Sequence, residues 1–428
     1  MLILIDPGDV GLQNLGDVAM LQTALDRLLA LWPFSDLFVL TSDAISLARH
    51  CPGARPVSDE ARRSWLSEQL FLGRLHGRLP APMRRAIGGA TRFLRRVWPG
   101  VVEARIHLRI RPGSREAREL DEFLGVLRRA QLIVTAGQGT INDTFEAHAR
   151  LVLSTVESAE SLHKPTAMFG QGIGPVTSPG LARQAARVLK RVDLVTLREK
   201  RLGPALLGRF GVDPAHVRVT GDDAVEMAFA LRSDRLGANL GLNLRTGRRS
   251  GIDRSMIDPL RGALTAFTRA RNAGIVALPI AVDPEHGDMQ AIGEALGPEA
   301  LATAMRSTVE SPREAICATA GCRIVVTAAY HAAVFALSQG ISALCLAGSE
   351  YYLDKFLGLR DLFGEGCRVL SLKGPEGSEA FPALLQESWD RADVLCVPLL
   401  EAAERQVQSS REAYEHLGRL LVRNGRAA

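Results

Sequence analysis

A single histidine, His331, lies where an apolar run changes into a helical pattern in the stretch VVTAAYHAAVFALSQG, residues 325–340. Histidine has an ordinary pKa of about 6.5, so its imidazole can donate or accept a proton near neutral pH. A histidine at the start of a helix can equally hydrogen-bond to the backbone, and the residue alone does not decide between these roles. His286, in AVDPEHGD, also follows a predicted strand and is a second, weaker candidate.

Small and polar residues follow several other predicted strands. In open parallel sheets such loops meet at the carboxyl edge of the sheet, where ligands bind, and glycine lets backbone N–H groups approach an anion. Neither Gly-rich stretch matches a dinucleotide-binding or P-loop motif, and the cysteines and histidines lack metal-ligand spacing, so we predict no metal and no bound cofactor. The stretches NLGDVAML, TAGQGTIND and FGQGIGP supply the loop set: Asn14, Asp17, Gly137, Gln138, Gly139, Asn142, Asp143 and Gln171.

These residues are positioned by strands and helices that alternate along the whole chain. Short apolar runs such as MLILID, DLFVLTSD and AQLIVTAGQG are separated by helical patterns such as DVAMLQTALDRLLALW, and a second series begins at ANLGLNLRTG. The alternation predicts two α/β halves, each a parallel sheet with helices on both faces. We predict domain bounds of 1–235 and 236–394, followed by an amphipathic helix over 395–428 that packs back on the first domain.

Residues 55–128 differ from this pattern and are predicted to form an arginine-rich helical insert in the first half. Between Arg55 and Arg129 the chain has seventeen arginines, no lysine and eight acidic residues. The simpler interpretation is a helical subdomain with a solvated arginine face; the alternative is a surface that contacts anionic lipid head groups or a lipid-linked phosphate substrate. We favour the simpler one, because Pro80, Pro82 and two adjacent glycines should break any long amphipathic helix here.

Composition narrows the class of protein and its location. The chain of 428 residues is 46% hydrophobic and 23% charged, which is ordinary for a globular protein, and its 5% aromatic content accompanies no nucleic-acid recognition motif. No apolar run approaches the ~20 residues that span a membrane, and the start MLILIDPGDVG lacks the basic region of a signal peptide. Six scattered cysteines indicate buried thiols. We therefore predict a cytoplasmic protein that binds no nucleic acid, with peripheral contact at the inner face of the membrane left open by the insert.

The order of the motifs resembles the polysaccharide pyruvyltransferase family. It consists of Asn-x-Gly-Asp, Gly-x-Gly with a following Asp, GQGIGP, LRE then GRFGV, TGDDA, LGLNLR and a late histidine, spread from about Asn14 to Gly358 outside the insert. Characterised members move pyruvate from phosphoenolpyruvate onto sugar hydroxyls and form a cyclic ketal. The resemblance implies an α/β fold of two Rossmann-like domains facing a cleft, as in GT-B glycosyltransferases. It also implies that phosphoenolpyruvate is a co-substrate and that His331 is the acid that protonates it.

The chain departs from the family pattern beside this histidine. Family members carry Arg-Leu-His where this chain has Ala329-Tyr330-His331, and in them the arginine grips the donor anion. Alanine cannot bind an anion through its side chain, so other groups must hold the donor, or the donor differs. For Arg198 the alternative to anion binding is an ion pair with Glu199 or Asp193 that serves the fold alone. The predicted donor-binding set is Arg245 and Asn243 in LGLNLR, Arg198 at the end of LVTLR, Lys355 in SEYYLDKFLGL, and Tyr330; Tyr351 and Tyr352 are further hydrogen-bond donors.

Two other functions fit the same architecture. The first is a glycosyltransferase that uses a nucleotide sugar, for which Glu379 and Glu387 have the spacing seen in many retaining enzymes of this fold, although a solvated helix face explains them better. The second is a catalytically silent member that binds a phosphorylated ligand or another subunit, since fold does not guarantee chemistry. The predicted partner is a sugar or lipid-linked glycan acceptor, and the oligomeric state is left open, a homo-oligomer included.

Overall fold

Apolar runs that end in Asp, Gly or Ser form the strands of a first, seven-stranded sheet in the computed structural model, which describes residues 1–67, 78–247, 250–283, 287–305 and 308–423. All neighbouring strands are parallel, in the order β3-β2-β1-β4-β5-β6-β7. Helices cover both faces, so the central strands are buried on both sides and are apolar throughout. The strands are β1 Leu2–Pro7, β2 Asp36–Thr41, β3 Arg55–Ser58, β4 Leu132–Ala136, β5 Thr166–Gln171, β6 Leu194–Leu197 and β7 Val217–Val219.

Capping side chains mark the start of several helices of this first domain. Asn14 caps the first helix by accepting hydrogen bonds from the amides of Gly16 and Asp17, and Asp43 and Ser58 cap the next two. The helices are α1 Leu15–Leu31, α2 Ala44–His50, α3 Asp59–Leu66, α4 Ala81–Val97, α5 Pro99–His107, α6 Arg115–Arg129, α7 Glu146–Ser161, α8 Pro179–Leu189, α9 Gly203–Phe210 and α10 Ala224–Ala230.

The insert is shorter than the predicted 55–128. Residues 55–58 form the edge strand β3, which pairs with β2 from Arg55 opposite Phe38. At the other end, α6 buries Leu120 and Phe123 against the sheet side of the domain, as a regular crossover helix does. The prediction missed both because a four-residue strand with one buried residue, Val57, carries too little periodicity to be recognised from sequence.

The expectation that proline and glycine break the arginine-rich segment is wrong. Helix α4 is continuous over 17 residues and passes through Gly88 and Gly89. Pro82 lies in its first turn, where the missing N–H is not needed by any hydrogen bond within the helix. A long amphipathic helix therefore exists here. None of the helices in the described ranges has the length and apolar character needed to span a bilayer.

A second domain of five parallel strands follows residues 231–238. Its strand order is β12-β11-β10-β8-β9, so β8 and β10 lie side by side at its centre. The strands are β8 Asn239–Asn243, β9 Ile275–Ala277, β10 Cys322–Thr327, β11 Ser342–Ala347 and β12 Cys367–Ser371. The helices are α11 Arg254–Arg271, α12 Asp288–Leu296, α13 Pro298–Ala304, α14 Pro312–Ala320, α15 Tyr330–Ser338, α16 Glu350–Phe363 and α17 Pro375–Asp390.

The long C-terminal helix α18, Ala392–Arg423, contacts both domains. Its Tyr414 ring is stacked on Phe169 of β5 with 3.7 Å between ring centroids, and its hydroxyl donates a hydrogen bond to Asp223 at 3.0 Å. An aromatic pair of this kind contributes about 1 kcal/mol beyond its buried area. The helix thus ties the second domain, from which it departs, to the sheet of the first.

The two domains face each other across a cleft whose floor is apolar. Helix α15 is buried along its whole length and packs against α1, α10 and α18 in one hydrophobic cluster. Backbone hydrogen bonds join the loop before α1 to the loop after β9: Leu15 N to Ile280 O and Val282 N to Gln13 O, both 2.9 Å. This architecture confirms the predicted fold of two Rossmann-like domains in a GT-B-like arrangement.

Candidate active site

His331 lies at the start of α15, directly after β10, and its ring rests on the first turn of α1 from the other domain. A Cβ atom on Gly16 would lie 1.9 Å from the Cγ of His331, so only glycine leaves room for the imidazole. The side chain is 6% exposed, and its Nε2 has no hydrogen-bond partner among the described residues. The histidine is therefore held between the domains by packing, with one ring nitrogen uncommitted.

Asp222, in the TGDDA motif after β7, is the carboxylate that faces this nitrogen. Its Oδ2 lies 3.6 Å from His331 Nε2 and 3.4 Å from Arg198 Nη1, and its Oδ1 accepts a hydrogen bond from the amide of Ala224 at 3.0 Å. Burial acts to raise the pKa of Asp222, but the nearby His331 and Arg198 outweigh burial and hold it below its usual value. Asp222 is thus an ionised group that lies beside both the imidazole of His331 and the guanidinium of Arg198.

Arg198, at the end of β6, is buried in a seat formed by glycines. A Cβ atom on Gly139 would lie 2.0 Å from its Nη2, and one on Gly172 would lie 2.9 Å from its Nε. On its other side the guanidinium stacks on Tyr330, with Cζ 4.4 Å from the ring centroid. The carboxylate beside Arg198 is Asp222, not the predicted Glu199 or Asp193. The sequence predicts that these loop glycines present backbone N–H groups to an anion. In the structure they make room for the guanidinium of Arg198 instead.

Lys355, on α16, lies among three tyrosines. Its Nζ is 5.3 Å from the ring centroid of Tyr330, 4.8 Å from that of Tyr351 and 5.3 Å from that of Tyr352. Burial lowers the pKa of Lys355 well below its usual value, and the positive charge of Arg198 acts in the same direction. The Tyr330 hydroxyl is buried and has no hydrogen-bond partner in the part of the chain that the structure describes. Arg198, Lys355 and Tyr330 thus form one group that can bind an anion.

Tyr351 joins this group to the first domain. Its hydroxyl donates a hydrogen bond to Gly139 O at 2.9 Å, and the Asn142 side-chain amide lies 3.4 Å from the same hydroxyl. Asn142 also donates to Gly139 O and accepts from the amide of Phe145, which fixes the loop after β4. The predicted loop residue Asn142 therefore holds Gly139 in the position that leaves room for Arg198.

Arg245 and Asn243 lie at the margin of the site and are already engaged. Arg245 donates to Asp288 at 2.7 and 3.0 Å, and the Asn243 amide donates to Asp288 at 2.7 Å and to Leu278 O at 2.9 Å. Asn243 is fully buried, so it acts on a ligand only by holding Asp288 in place. The charge of Arg245 reaches the site, since it helps to lower the pKa of Lys355.

Asp17 adds a carboxylate on the α1 side of the histidine. Burial raises its pKa, while the charges of His331, Arg198 and Lys355 act in the opposite direction. Asp17 thus belongs to the same electrostatic cluster, whereas its neighbour Asn14 caps α1.

The remaining predicted loop residues make hydrogen bonds within the loops that follow β4 and β5. Gln138 and Gln171 are fully buried; Gln138 donates to Pro7 O at 3.0 Å and Gln171 to Phe169 O at 2.7 Å. Gly137 has a φ of +54°, which favours glycine, and its N–H bonds to Phe169 O. Asp143 accepts hydrogen bonds from Thr177 and Ser178. These residues hold the loops of β4 and β5 together and do not line the cavity.

Sequence reasoning missed Asp222, and it did not predict that Gly16 leaves room for the ring of His331. The pair Asp222–Asp223 follows a strand and precedes a helix, and this position was the signal that could have found it. Ala329, where the family resemblance predicts arginine, is buried at the N-terminus of α15, and its N–H donates a hydrogen bond to Thr327 Oγ1 at 2.9 Å. His286, the second histidine candidate, lies outside the described residues.

Solved structures similar to this chain share its fold. The α,α-trehalose 6-phosphate synthase from Burkholderia multivorans is 10% identical, with 99% of this chain and 97% of that chain covered and a TM-score of 0.54. The UDP-GlcNAc 2-epimerase from Neisseria meningitidis, bound to UDP-GlcNAc, is 11% identical over 96% and 99% of the chains, with a TM-score of 0.52. A glycosyltransferase from Rickettsia africae is 9% identical over 99% of each chain, with a TM-score of 0.52.

Sequence comparison identifies the family. No curated protein sequence matches the chain. The family model described as polysaccharide pyruvyl transferase matches residues 14–350, which include Asn14, Arg198, Asp222 and His331 and end at the first residue of α16. Since this match covers well over half of the chain, the protein belongs to the polysaccharide pyruvyl transferase family.

Proposed function

We propose that the protein transfers the pyruvyl group of phosphoenolpyruvate to two hydroxyls of a sugar and forms a cyclic ketal in a surface polysaccharide or its lipid-linked precursor. The observation that carries this proposal is the convergence of Arg198, Lys355 and the Tyr330 hydroxyl beside the His331–Asp222 pair. A donor with a carboxylate and a phosphate needs fixed cations and hydrogen-bond donors of this kind. The two cations supply the charge that the family pattern would place at position 329.

The proposed reaction begins with proton transfer from His331 to the methylene carbon of phosphoenolpyruvate, which makes C2 electrophilic. One sugar hydroxyl then adds to C2, and the second displaces phosphate to close the ketal. The two hydroxyls release two protons in all. One returns to His331, directly or through Asp17, and the other leaves with phosphate.

The neighbouring carboxylates suit these steps. Asp222 is held ionised by its two cationic neighbours and so stabilises a protonated His331 before transfer. The raised pKa of Asp17 makes it a stronger base than an exposed aspartate, as removal of a hydroxyl proton requires. Acid and base thus come from different domains, His331 from the second and Asp17 from the first.

The site is closed in the conformation described. The cavity lined by Gly139, Gly172, Arg198, Tyr330 and Lys355, with Glu199 and Asp354 also on its wall, has a volume of ≈ 30 Å³, which is room for only one or a few water molecules. Phosphoenolpyruvate is several times larger, so entry requires the domains to part or α16 to move. Closure after binding would exclude water and strengthen every electrostatic contact in the site.

A glycosyltransferase that uses a nucleotide sugar is the second candidate, since similar folds bind such donors. The sequence feature that suggests a glycosyltransferase is the spacing of Glu379 and Glu387. Both lie on α17, where Glu379 is exposed and Glu387 pairs with Arg368 and Arg391. These contacts account for both residues without chemistry, so the pyruvyl transfer proposal is the better supported one.

The proposal is tested by incubating the protein with phosphoenolpyruvate and a panel of oligosaccharides, while phosphate release and the mass of the ketal product are measured. Thermal shifts with phosphoenolpyruvate and with UDP and GDP sugars distinguish the donors. We expect His331→Gln to lower turnover by about 10²- to 10⁴-fold and to keep the shift with phosphoenolpyruvate. His50→Gln, on α2, is the matched control.

Stabilisation by a nucleotide sugar and not by phosphoenolpyruvate would replace this proposal with the glycosyltransferase. Stabilisation by neither would favour a catalytically silent member. Full turnover in His331→Gln would remove the histidine from the mechanism.

A further inference from the structure

The arginine-rich insert presents the apolar side of a helix to the outside. Along α4, the residues at positions 83, 86, 90, 93 and 97 recur at the three- and four-residue spacing of one helix face, and all are apolar and exposed. Met83 is 53% exposed, Phe93 62% and Val97 45%. A surface helix of a globular protein normally buries this face.

The opposite, inward side of α4 is polar. Thr91 is fully buried and Arg95 nearly so, with its guanidinium stacked 5.7 Å from the Trp65 ring and donating to Ser67 O at 3.3 Å. Beside the helix lies a cavity of ≈ 460 Å³. Its wall includes Phe93 and Val97 as well as Arg92, Arg95 and Arg96 of α4, and it also carries serines, Glu157, Glu160 and Arg187 of α7 and α8. Part of the apolar side of α4 therefore borders this cavity and does not pack on a core.

The apolar surface continues into the next helix. Trp98, between α4 and α5, is 59% exposed, Val101 52% and Leu108 80%. We define the insert surface as Met83, Phe93, Val97, Trp98, Val101 and Leu108. Contiguous apolar surface of this kind on a protein marks a binding site for another apolar phase.

Arginine predominates in the charge along α4 and the start of α5. From residue 78 to residue 102 the sequence has six arginines and no Asp or Glu. Among them Arg84 and Arg96 are exposed on α4. A second copy of this chain would bring the same six positive charges against these, which opposes self-association through this face. Anionic lipid complements both properties, because its head groups are negative and its acyl layer accepts apolar side chains.

We propose that the insert surface docks the protein on a bilayer that contains anionic lipid. The α4–α5 axis lies in the plane of the interface, Phe93, Val97 and Trp98 enter the head-group boundary, and the arginines contact lipid phosphates. The proposal rests on the insert alone and does not depend on the chemistry of the cleft. The sequence favours a helical insert whose arginine face is merely solvated. The exposed apolar residues of α4 favour contact with lipid instead.

The test is flotation of the full chain with vesicles of phosphatidylcholine alone or mixed with phosphatidylglycerol, at low and high salt. We expect binding to the mixed vesicles only, and weaker binding as salt increases. Phe93→Glu should weaken binding by about tenfold or more. Phe34→Glu is the matched control, since Phe34 is 96% exposed between α1 and β2, away from the insert. Arg96→Ser should weaken binding and lower its salt dependence, whereas Arg405→Ser on α18 should not.

Three results would overturn the proposal. The first is equal or absent binding to the two vesicle types at low salt. The second is an equal effect of Phe93→Glu and Phe34→Glu. The third is self-association in light scattering that Phe93→Glu abolishes, which would make a second copy the occupant. Circular dichroism of each variant is the control for folding, and we expect these exposed substitutions to leave the spectrum unchanged.

Discussion

The guanidinium of Arg198, from the first domain, is stacked on the ring of Tyr330, from the second, with Cζ 4.4 Å from the ring centroid. Tyr330 directly follows Ala329, the position where the family resemblance predicts arginine. The cation at this point of the cleft therefore comes from the facing domain. This arrangement also makes the position of the cation depend on how closely the domains approach each other.

Arg198→Lys tests this cation. Lysine keeps the charge but loses the planar stack on Tyr330 and the reach to Asp222, so we expect KM for phosphoenolpyruvate to rise about tenfold or more, with a smaller fall in kcat. Steady-state kinetics measure both. Arg201→Lys is the control, because Arg201 pairs with Asp361 at 3.0 Å on the exposed surface. An unchanged KM in Arg198→Lys would mean that the donor is held elsewhere.

Gly139→Ala tests the glycine seat. The added methyl would lie 2.0 Å from Arg198 Nη2, so the guanidinium must leave its position and activity should fall with KM raised. In Gly208→Ala, by contrast, nothing lies within 4 Å of the new Cβ, and alanine favours the helix by up to about 1 kcal/mol. That variant should melt at the same or a higher temperature with normal activity. Normal kinetics in Gly139→Ala would show that Arg198 is not needed in this place.

Lys355 predicts proton uptake when the donor binds. Burial lowers the pKa of the free amine well below its usual value, so the neutral amine forms at a lower pH than in an exposed lysine. A bound dianion favours the charged form and raises this pKa, so the complex takes up a fraction of a proton. Titration calorimetry in two buffers of different ionisation enthalpy measures that fraction. Lys355→Arg, which is always charged, should abolish the difference, and heats independent of buffer in the parent would contradict the prediction.

Asp223 predicts a specific pH dependence of stability. Burial raises its pKa to about 7, although hydrogen bonds from Ser410 and Tyr414 oppose the shift. Between the unfolded value of about 3.9 and about 7, the folded chain keeps a proton that the unfolded chain has lost. This group therefore lowers stability as pH rises through that window, by at most about 1.4 kcal/mol per pH unit, and adds no further change above it.

Asp223→Asn removes this titration. Its melting temperature, compared with that of the parent, should improve progressively as pH rises from about 5 to about 7. The exposed Asp258→Asn serves as the control and should show a constant difference. A constant difference in Asp223→Asn as well would mean that Asp223 is ionised in the folded protein throughout this range.

The sequence by itself determined the local elements and the family. Apolar runs and capping residues specify most strands and helices, because side-chain periodicity and N-cap hydrogen bonds act over a few residues. The order of short motifs identified the pyruvyl transferase family and placed His331, Arg198 and Lys355 at the ends of their strands or in the right helix.

Only the tertiary structure decided which groups meet and which face each element shows. Asp222 reaches His331 and Arg198 because sheet order and domain docking bring together loops more than a hundred residues apart, and no local pattern encodes that distance. The glycines at 16 and 139 look like turn residues in the sequence, and their role as seats for the imidazole and guanidinium depends on the facing domain. In the same way, periodicity shows that α4 has an apolar side, but packing alone decides that this side points outward.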